Sequence, residues 1–380
     1  MIYLDYAATC PIDKEVLDLY NEISLSNYAN ITSVHLLGQA ANKKYLEYSN
    51  DITKALGMNN HTVIFTSGAT EANNLAVLGV VEGKKGRIIT TCIEHSSVSE
   101  IYKRLEKEYD VVYLPVLENG QVDMDALESS INKDTLIVSI MWVNNIVGTI
   151  QNIKRALEIV RKYPRCKLHI DAVQGVTKVK PDFDINDIDL LTFSSHKFYG
   201  PKGVGCLIKK NNLNLSKVLN GSTAQFNLRP GTFDLGLVGC SAKALTKYTS
   251  LRDENLAKVK VLFNRLYDAF KDNRNVVINS PKENACYYIF NFSVYTDHFV
   301  PSETIIHYLE SKDICVSAGS SCSSKLAKPQ ATVYAMTKDE KRALGAVRVS
   351  FSHHTSIDEI DKLISAIKEY GDKYVWYDFN

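Results

Sequence analysis

The sequence lacks the features that would place it in several broad classes. No CxxC pair occurs among its eight cysteines, at positions 10, 92, 166, 206, 240, 286, 315 and 322 of 380 residues. In a chain of that length this argues for reduced thiols and against a disulfide framework or a zinc site. No run reaches the ~18 apolar residues that a membrane-spanning helix needs. Neither sign of charge dominates: 44 Lys and Arg face 43 Asp and Glu, a formal charge of +1, so nothing points to direct nucleic-acid or anionic-membrane binding. The opening MIYLDYAATC has no basic stretch followed by an apolar one, and so does not read as a secretory signal. Internal repeats and low-complexity tracts are also missing. What remains is a cytoplasmic globular protein, 45% hydrophobic and longer than one core usually serves, so two domains are expected.

What is present starts with apolar runs. TVIFT (62–66), RIITT (87–91), DVVYLPV (110–116), TLIVSIMWV (135–143), KLHID (167–171), DLLTF (189–193) and GVGCLIK (203–209) follow in order. Amphipathic stretches such as ANNLAVLGVVE and RALEIVRKY lie between several of them. Continuous apolar strands separated by helices predict an α/β fold, a doubly wound and mostly parallel sheet flanked by helices. The pattern then changes: 241–272 reads as one long helix, 285–294 and 312–319 as strands, and 356–374 as a closing helix. We take 14–245 as a large domain, and 1–13 with 246–380 as a smaller α+β domain.

In an open α/β sheet, ligands sit outside the carboxyl ends of the strands. TVIFT is followed by SGAT ending at Thr70, RIITT by a stretch containing His95, and TLIVSIMWV by Asn144 and Asn145. KLHID ends on Asp171 with Gln174 three residues on, and DLLTF leads into Ser194, Ser195, His196 and Lys197. Each alone is an ordinary cap or core residue. Five strand ends delivering polar groups to one sheet edge make a site. The helix that opens at SGATEANNLA offers amides and the Thr70 hydroxyl to an anion, most simply a phosphate. A phosphate, a carboxylate able to hold a proton on a ring nitrogen (Asp171) and an imine-forming lysine (Lys197) together describe pyridoxal 5'-phosphate.

YLDYAAT (3–9), FTSGATEANNLA (65–76), EHSSV (94–98), HIDAVQ (169–174), SSHKFYGPKGVG (194–205), AGSSCSS (318–324) and VRVSFSHHTSIDEID (347–361) resemble the cysteine desulfurases of the NifS/IscS type. These belong to the class V aminotransferase group of fold-type I enzymes, and the likeness runs from residue 2 to about 367. It implies a fold-type I transferase that is PLP-dependent, with the PLP-binding site in the large domain and the nucleophile loop in the small one. It further implies that Lys197 holds the cofactor and moves the α-proton, that His95 stacks on the ring and aids proton transfer, and that Asp171 and Gln174 meet the ring nitrogen and the phenolic oxygen. Ala69, Thr70, Ser194 and His196 would hold the phosphate. Thr232 would reach the phosphate of the partner subunit in a homodimer. Asn145 and Arg348 would take the carboxylate of L-cysteine, for which the Arg fork is suited.

Cys322 would be the nucleophile that carries sulfur as a persulfide to an acceptor protein serving iron–sulfur clusters or tRNA thiolation. Its neighbours Ser320, Ser321, Ser323 and Ser324 are small and polar, unlike the apolar company of Cys206 or Cys286, which suits a thiol that must reach in and out. The sequence also departs from the family pattern. Ile146 stands where a glutamate is usual, NGSTAQFN (220–227) has lost glycines and an acidic residue, NITS (30–33) replaces NPSS, and SSHK replaces SGHK. A selenocysteine lyase or aminotransferase of the same fold, or a non-catalytic scaffold in a sulfur-transfer assembly, are the alternatives.

Overall fold

The seven apolar runs become the seven strands of one sheet. The computed structural model describes residues 1–294, 300–318 and 328–374, the last three as backbone. After a short β1 (Ile2–Tyr3) come β2 (His61–Thr66), β3 (Arg87–Thr91), β4 (Asp110–Leu114), β5 (Thr135–Met141), β6 (Lys167–Asp171), β7 (Leu190–Ser194) and β8 (Gly205–Lys210). Their spatial order is β2-β8-β7-β6-β5-β3-β4. From β7 to β4 every neighbouring pair is parallel; β8 alone runs antiparallel to its neighbours β7 and β2. All seven residues of β5 are buried, which is why its sequence is continuously apolar and does not alternate. Alternation survives in three dimensions. Ile64, Ile88, Ile137, Leu190 and Leu207 share one core with Leu75, Val98 and Ile101 of the helices Ala69–Val81 and Ser96–Leu105, while Val63, Ile89, Val138, Leu191 and Ile208 face the other core.

Three further strands, β9 (Val276–Ile278), β10 (Ile289–Val294) and β12 (Ala346–Ser350), form an antiparallel sheet in the order β12-β10-β9. The run at 312–319 contributes only β11 (Ile314–Cys315), which pairs in parallel with β1. Asp5 bridges to Ser350. The expected single helix over 241–272 is two, Leu235–Ser250 and Arg252–Phe270, broken at Leu251 (φ −88°, ψ 1°). The 245/246 boundary therefore falls inside the first of them.

Two glycines of SSHKFYGPKGVG are there for stated geometric reasons. Gly203 has φ 80°, a left-handed turn that a side chain disfavours. Gly205 lies so close to the loop after β2 that a Cβ would stand 2.6 Å from the Gly68 carbonyl carbon and 2.9 Å from the Ala69 nitrogen. Because those are backbone atoms, nothing can swing aside. The altered segment at 220–227 has found its own solution at the sheet edge. Gln225 accepts from the Phe65 amide (2.7 Å) and donates to the Phe65 carbonyl (2.9 Å), closing part of the open edge of β2 as a strand would. Residues 225–227 reach that position through a left-handed turn, with φ of 45°, 60° and 61°.

Gly205→Ala is expected to destabilise the fold by about 1–3 kcal/mol through overpacking. Thermal denaturation measures it, and an unchanged Tm would contradict the close approach.

Candidate active site

Strand direction decides what lines the cleft. β2, β3, β5, β6 and β7 point their carboxyl ends the same way, while antiparallel β8 presents its beginning. A cavity of about 590 Å³ opens there, lined among others by Ala69, Thr70, His95, Asn145, Asp171, Gln174, Ser194, His196, Lys197 and Arg348. Ten of the twelve residues singled out from sequence thus meet in one place. Thr232 does not: it lines a separate cavity of about 360 Å³ beside Tyr20, Asn27, Tyr28 and Phe233. Cys322 lies outside the described residues.

At one end of the cleft the helix Ala69–Val81 begins. Its N-cap is Gly68, which has no side chain to bond the first-turn amides, and Thr70 is inside the first turn and is not its cap. Those amides are therefore available to an anion. Ser194 faces Gly68, its Oγ 4.0 Å from where a Cβ would stand. Next to it His196 Nδ1 lies 3.1 Å from the Thr9 hydroxyl. Burial, then the cations Lys197 and Lys202, push His196 down to about 4, so it is neutral near pH 7 and can offer a ring N–H.

Lys197 sits in the middle, its Nζ donating to the carbonyls of Ala7 (2.9 Å) and Ala8 (2.8 Å). Burial, with Lys178 and Arg348 nearby, brings its amine down to about 8, a range in which part of it is an uncharged nucleophile. Asp171 is 5% exposed; it accepts from the Asn73 amide (3.0 Å) and the Val173 amide (3.0 Å). Burial raises its pKa and, with the same cause, lowers that of His95. The Ser97 N–H donates to His95 Nδ1 (3.1 Å), so the neutral ring carries its proton on Nε2. Gln174 donates to the Ala7 carbonyl (2.8 Å).

Asn145 and Arg348 line the far side of the cleft. Arg348, 4% exposed on β12, donates to Asp5 (2.7 Å) and to the Asn145 carbonyl (2.9 Å), and its Nε has no partner among the described residues. Asn144 turns away from the cleft and holds the loop, accepting from the amides of Ile146 and Val147 (2.9 and 3.0 Å). Ile146, the glutamate replacement, is buried with Val333, Met336 and Ala343. An apolar side chain suits that environment.

Sequence reasoning missed several members. The carboxyl of Glu94, directly before His95, is buried: its Oε1 accepts from the Thr91 hydroxyl (2.7 Å) and the Met141 amide (3.0 Å), and Oε2 has no partner among the described residues. Burial pushes it up to about 8. The sequence carried no signal for it, since a carboxylate in the loop after a strand reads as solvated. Asn73, which orients Asp171, and Asp5, which holds Arg348, were also unread. His169, by contrast, is a satisfied core residue between Ser139 and Thr192, driven down to about 3 by burial.

The donor set fits a phosphate-bearing ring aldehyde: anion-binding amides at one end, an amine in the centre, a carboxylate beneath, and an under-used guanidinium at the other end. The comparisons agree. The family model Aminotransferase class-V matches residues 2–363. A "NifS/IcsS protein homolog" from Lactobacillus delbrueckii subsp. bulgaricus is 34% identical over 375 residues, covering 97% of each chain. "Cysteine desulfurase IscS" from Dictyoglomus turgidum is 33% identical over 387 residues, 98% of this chain and 95% of that one. Among solved structures, a "NIFS-LIKE PROTEIN" superposes with a TM-score of 0.88 at 30% identity, covering 98% of this chain and 99% of that one.

The Glu94 environment generates a prediction. A carboxyl whose folded pKa lies above its unfolded value of about 4.3 favours folding most at low pH and loses that contribution as pH rises towards 8. Glu94→Gln, which cannot ionise, should match the parent near pH 5 and become more stable than it near pH 8, by on the order of a few kcal/mol. Denaturation midpoints at the two pH values check this; a constant offset would contradict it.

Proposed function

Because this chain belongs to the class-V aminotransferase family, a family of pyridoxal 5'-phosphate enzymes, we propose that it is a cysteine desulfurase. It would convert L-cysteine to L-alanine and pass the sulfur to Cys322 as a persulfide. The observation that carries the reading is the meeting, in one cavity, of the Lys197 amine, the uncapped helix start at Gly68 and the Arg348 guanidinium. When bound, the cofactor supplies an aldehyde that takes up an amine and a ring that draws electron density from the substrate α-carbon.

The chain's own residues divide the remaining work. Ala69, Thr70, Ser194 and His196 hold phosphate through amides, hydroxyls and a ring N–H. Asp171, fixed by Asn73, would favour a proton on the ring nitrogen, and Gln174 would take the phenolic oxygen. His95, with its proton on Nε2, would lie against the ring. Lys197 would hold the cofactor and move the α-proton, a task suited to an amine near neutrality. Arg348 and Asn145 fix the substrate carboxylate. The Cys322 thiolate forms an S–S bond to the substrate sulfur as the C–S bond breaks; the carbon gains protons and leaves as alanine.

We assign residues 14–245 to the cofactor-binding part, and 1–13 with 246–380 to the part carrying Arg348 and Cys322. We further propose a homodimer in which Thr232 reaches the partner's phosphate. Leu25, Tyr28, Val34 and Leu36 are 81%, 73%, 88% and 81% exposed near the cavity that holds Thr232, a face that a second copy would cover. Among the described residues no helix is long and apolar enough to cross a membrane, and we place the protein in the cytoplasm. The sulfur acceptor is a second protein, serving iron–sulfur clusters or tRNA thiolation.

Purified protein loaded with the cofactor should release alanine from L-cysteine, and sulfide when a reducing thiol is added. Cys322→Ala should stay loaded and lose at least about 100-fold in turnover, in line with removal of a covalent nucleophile. Multiple turnovers by Cys322→Ala would show that another group takes the sulfur.

A further inference from the structure

Lys178 lies outside every role assigned so far, yet it is 8% exposed, an unusual burial for a lysine. Its Nζ donates to Gln174 Oε1 at 2.8 Å. The groups that face it are the thiols of Cys10 and Cys286, the ring of Tyr288 (5.9 Å from Nζ to its centre), and the basic groups Arg348, Lys197 and His196. Among the described residues no carboxylate is one of them. A buried ammonium without a carboxylate is costly for a fold. The residue before it adds to the cost. Thr177 is a β-branched residue at φ 65°, a left-handed conformation such side chains rarely adopt. Two local penalties are thus maintained at adjacent positions, and strain of this kind concentrates where a site must be held.

What they hold is visible in the hydrogen bonds. Lys178 fixes Oε1 of Gln174; the Gln174 amide donates to the Ala7 carbonyl at 2.8 Å; Lys197 donates to that same carbonyl at 2.9 Å. A glutamine amide has nearly isosteric ends and rotates readily. A donor-only group at one end and a carbonyl at the other leave a single sense. We propose that Lys178 is a positioning residue: it locks the side-chain amide of Gln174 so that its N–H₂ and the Lys197 amine converge on the cofactor pocket beside Ala7. The left-handed residue Thr177 directly precedes Lys178, whose Nζ reaches Gln174 Oε1. The inference rests on the cofactor reading of the cleft.

The test reads the pH midpoint of the visible absorbance of protein loaded with pyridoxal 5'-phosphate. It compares the parent with Lys178→Met, Lys178→Arg, Gln174→Ala and the Lys178→Met/Gln174→Ala double variant. Lys178→Met should load the cofactor with a Tm no lower than the parent, because it removes an unpaired buried charge. Its midpoint should rise by about one pH unit, since the Gln174 N–H₂ is no longer held where it opposes protonation. Lys178→Arg should recover most of the change. Gln174→Ala should shift the midpoint the same way, and adding Lys178→Met to it should do nothing more.

An unmoved midpoint in Lys178→Met overturns the proposal. So does a full additional shift in the Gln174→Ala background, which would make Lys178 a bare charge acting independently of Gln174. Should Lys178→Met not fold, Gln174→Ala and Lys178→Arg decide: no shift in the first, or a shift in the second as large as that of Gln174→Ala, overturns it equally. A parent protein that takes up no cofactor refutes the reading beneath the inference, an outcome distinct from a loaded parent whose variants titrate alike.

Discussion

The hydrogen bonds that Lys197, Gln174 and His196 make to Ala7, Ala8 and Thr9 tie the cleft together, because they join the start of the chain to the edge of the large sheet. Lys197 follows the end of β7 in the seven-stranded sheet. Residues 2–8 belong to another neighbourhood. Ile2 and Tyr3 pair with β11, Asp5 holds Arg348 on β12, and the Ala7 amide donates to Ser350 Oγ. Drawing this segment across the sheet edge sets the distance between the amine that would hold the cofactor and the guanidinium that would hold the substrate. Site geometry here depends on seven residues at the start of the chain.

Electrostatics follow from that arrangement. Lys197, Lys178, Arg348 and the nearby Lys202 make the cleft cationic, and the acids in reach are engaged: Asp5 by Arg348, Asp171 by the amides of Asn73 and Val173. Glu94 is buried and pushed up to about 8, so near neutrality it is mostly protonated and subtracts little from the field. A cavity with anion-binding donors at both ends, the uncapped helix start at Gly68 and the Arg348 guanidinium, suits a ligand pair carrying a phosphate and a carboxylate. Burial first, and then the nearby Lys178 and Arg348, lower the Lys197 amine, which connects the binding of anions to nucleophilicity at the centre.

The large sheet was legible because each run buried on both faces is continuously apolar and ends on a polar residue. TLIVSIMWV followed by Asn144 and KLHID ending in Asp171 announce both a strand and its catalytic edge. The antiparallel course of β8 was not legible, since GVGCLIK reads the same in either direction. Nor was the break at Leu251, because periodicity continues across it. Among site residues, those at strand ends could be found by position. Lys178, Glu94 and Asp5 could not, because a charged residue in sequence looks solvated until the fold shows what covers it. Gln225 is similar: a polar residue in a divergent loop, it completes the edge of β2 through contacts 160 residues apart in sequence.

The central claim is that the amine of Lys197 holds the cofactor in this cleft. Borohydride reduction of the loaded protein, followed by proteolysis and mass spectrometry, tests it directly. The account predicts a pyridoxyl phosphate adduct on the peptide containing SSHKFYGPK, at Lys197. An adduct on Lys178 or Lys202 with Lys197 unmodified, or no stable adduct at all, would contradict it.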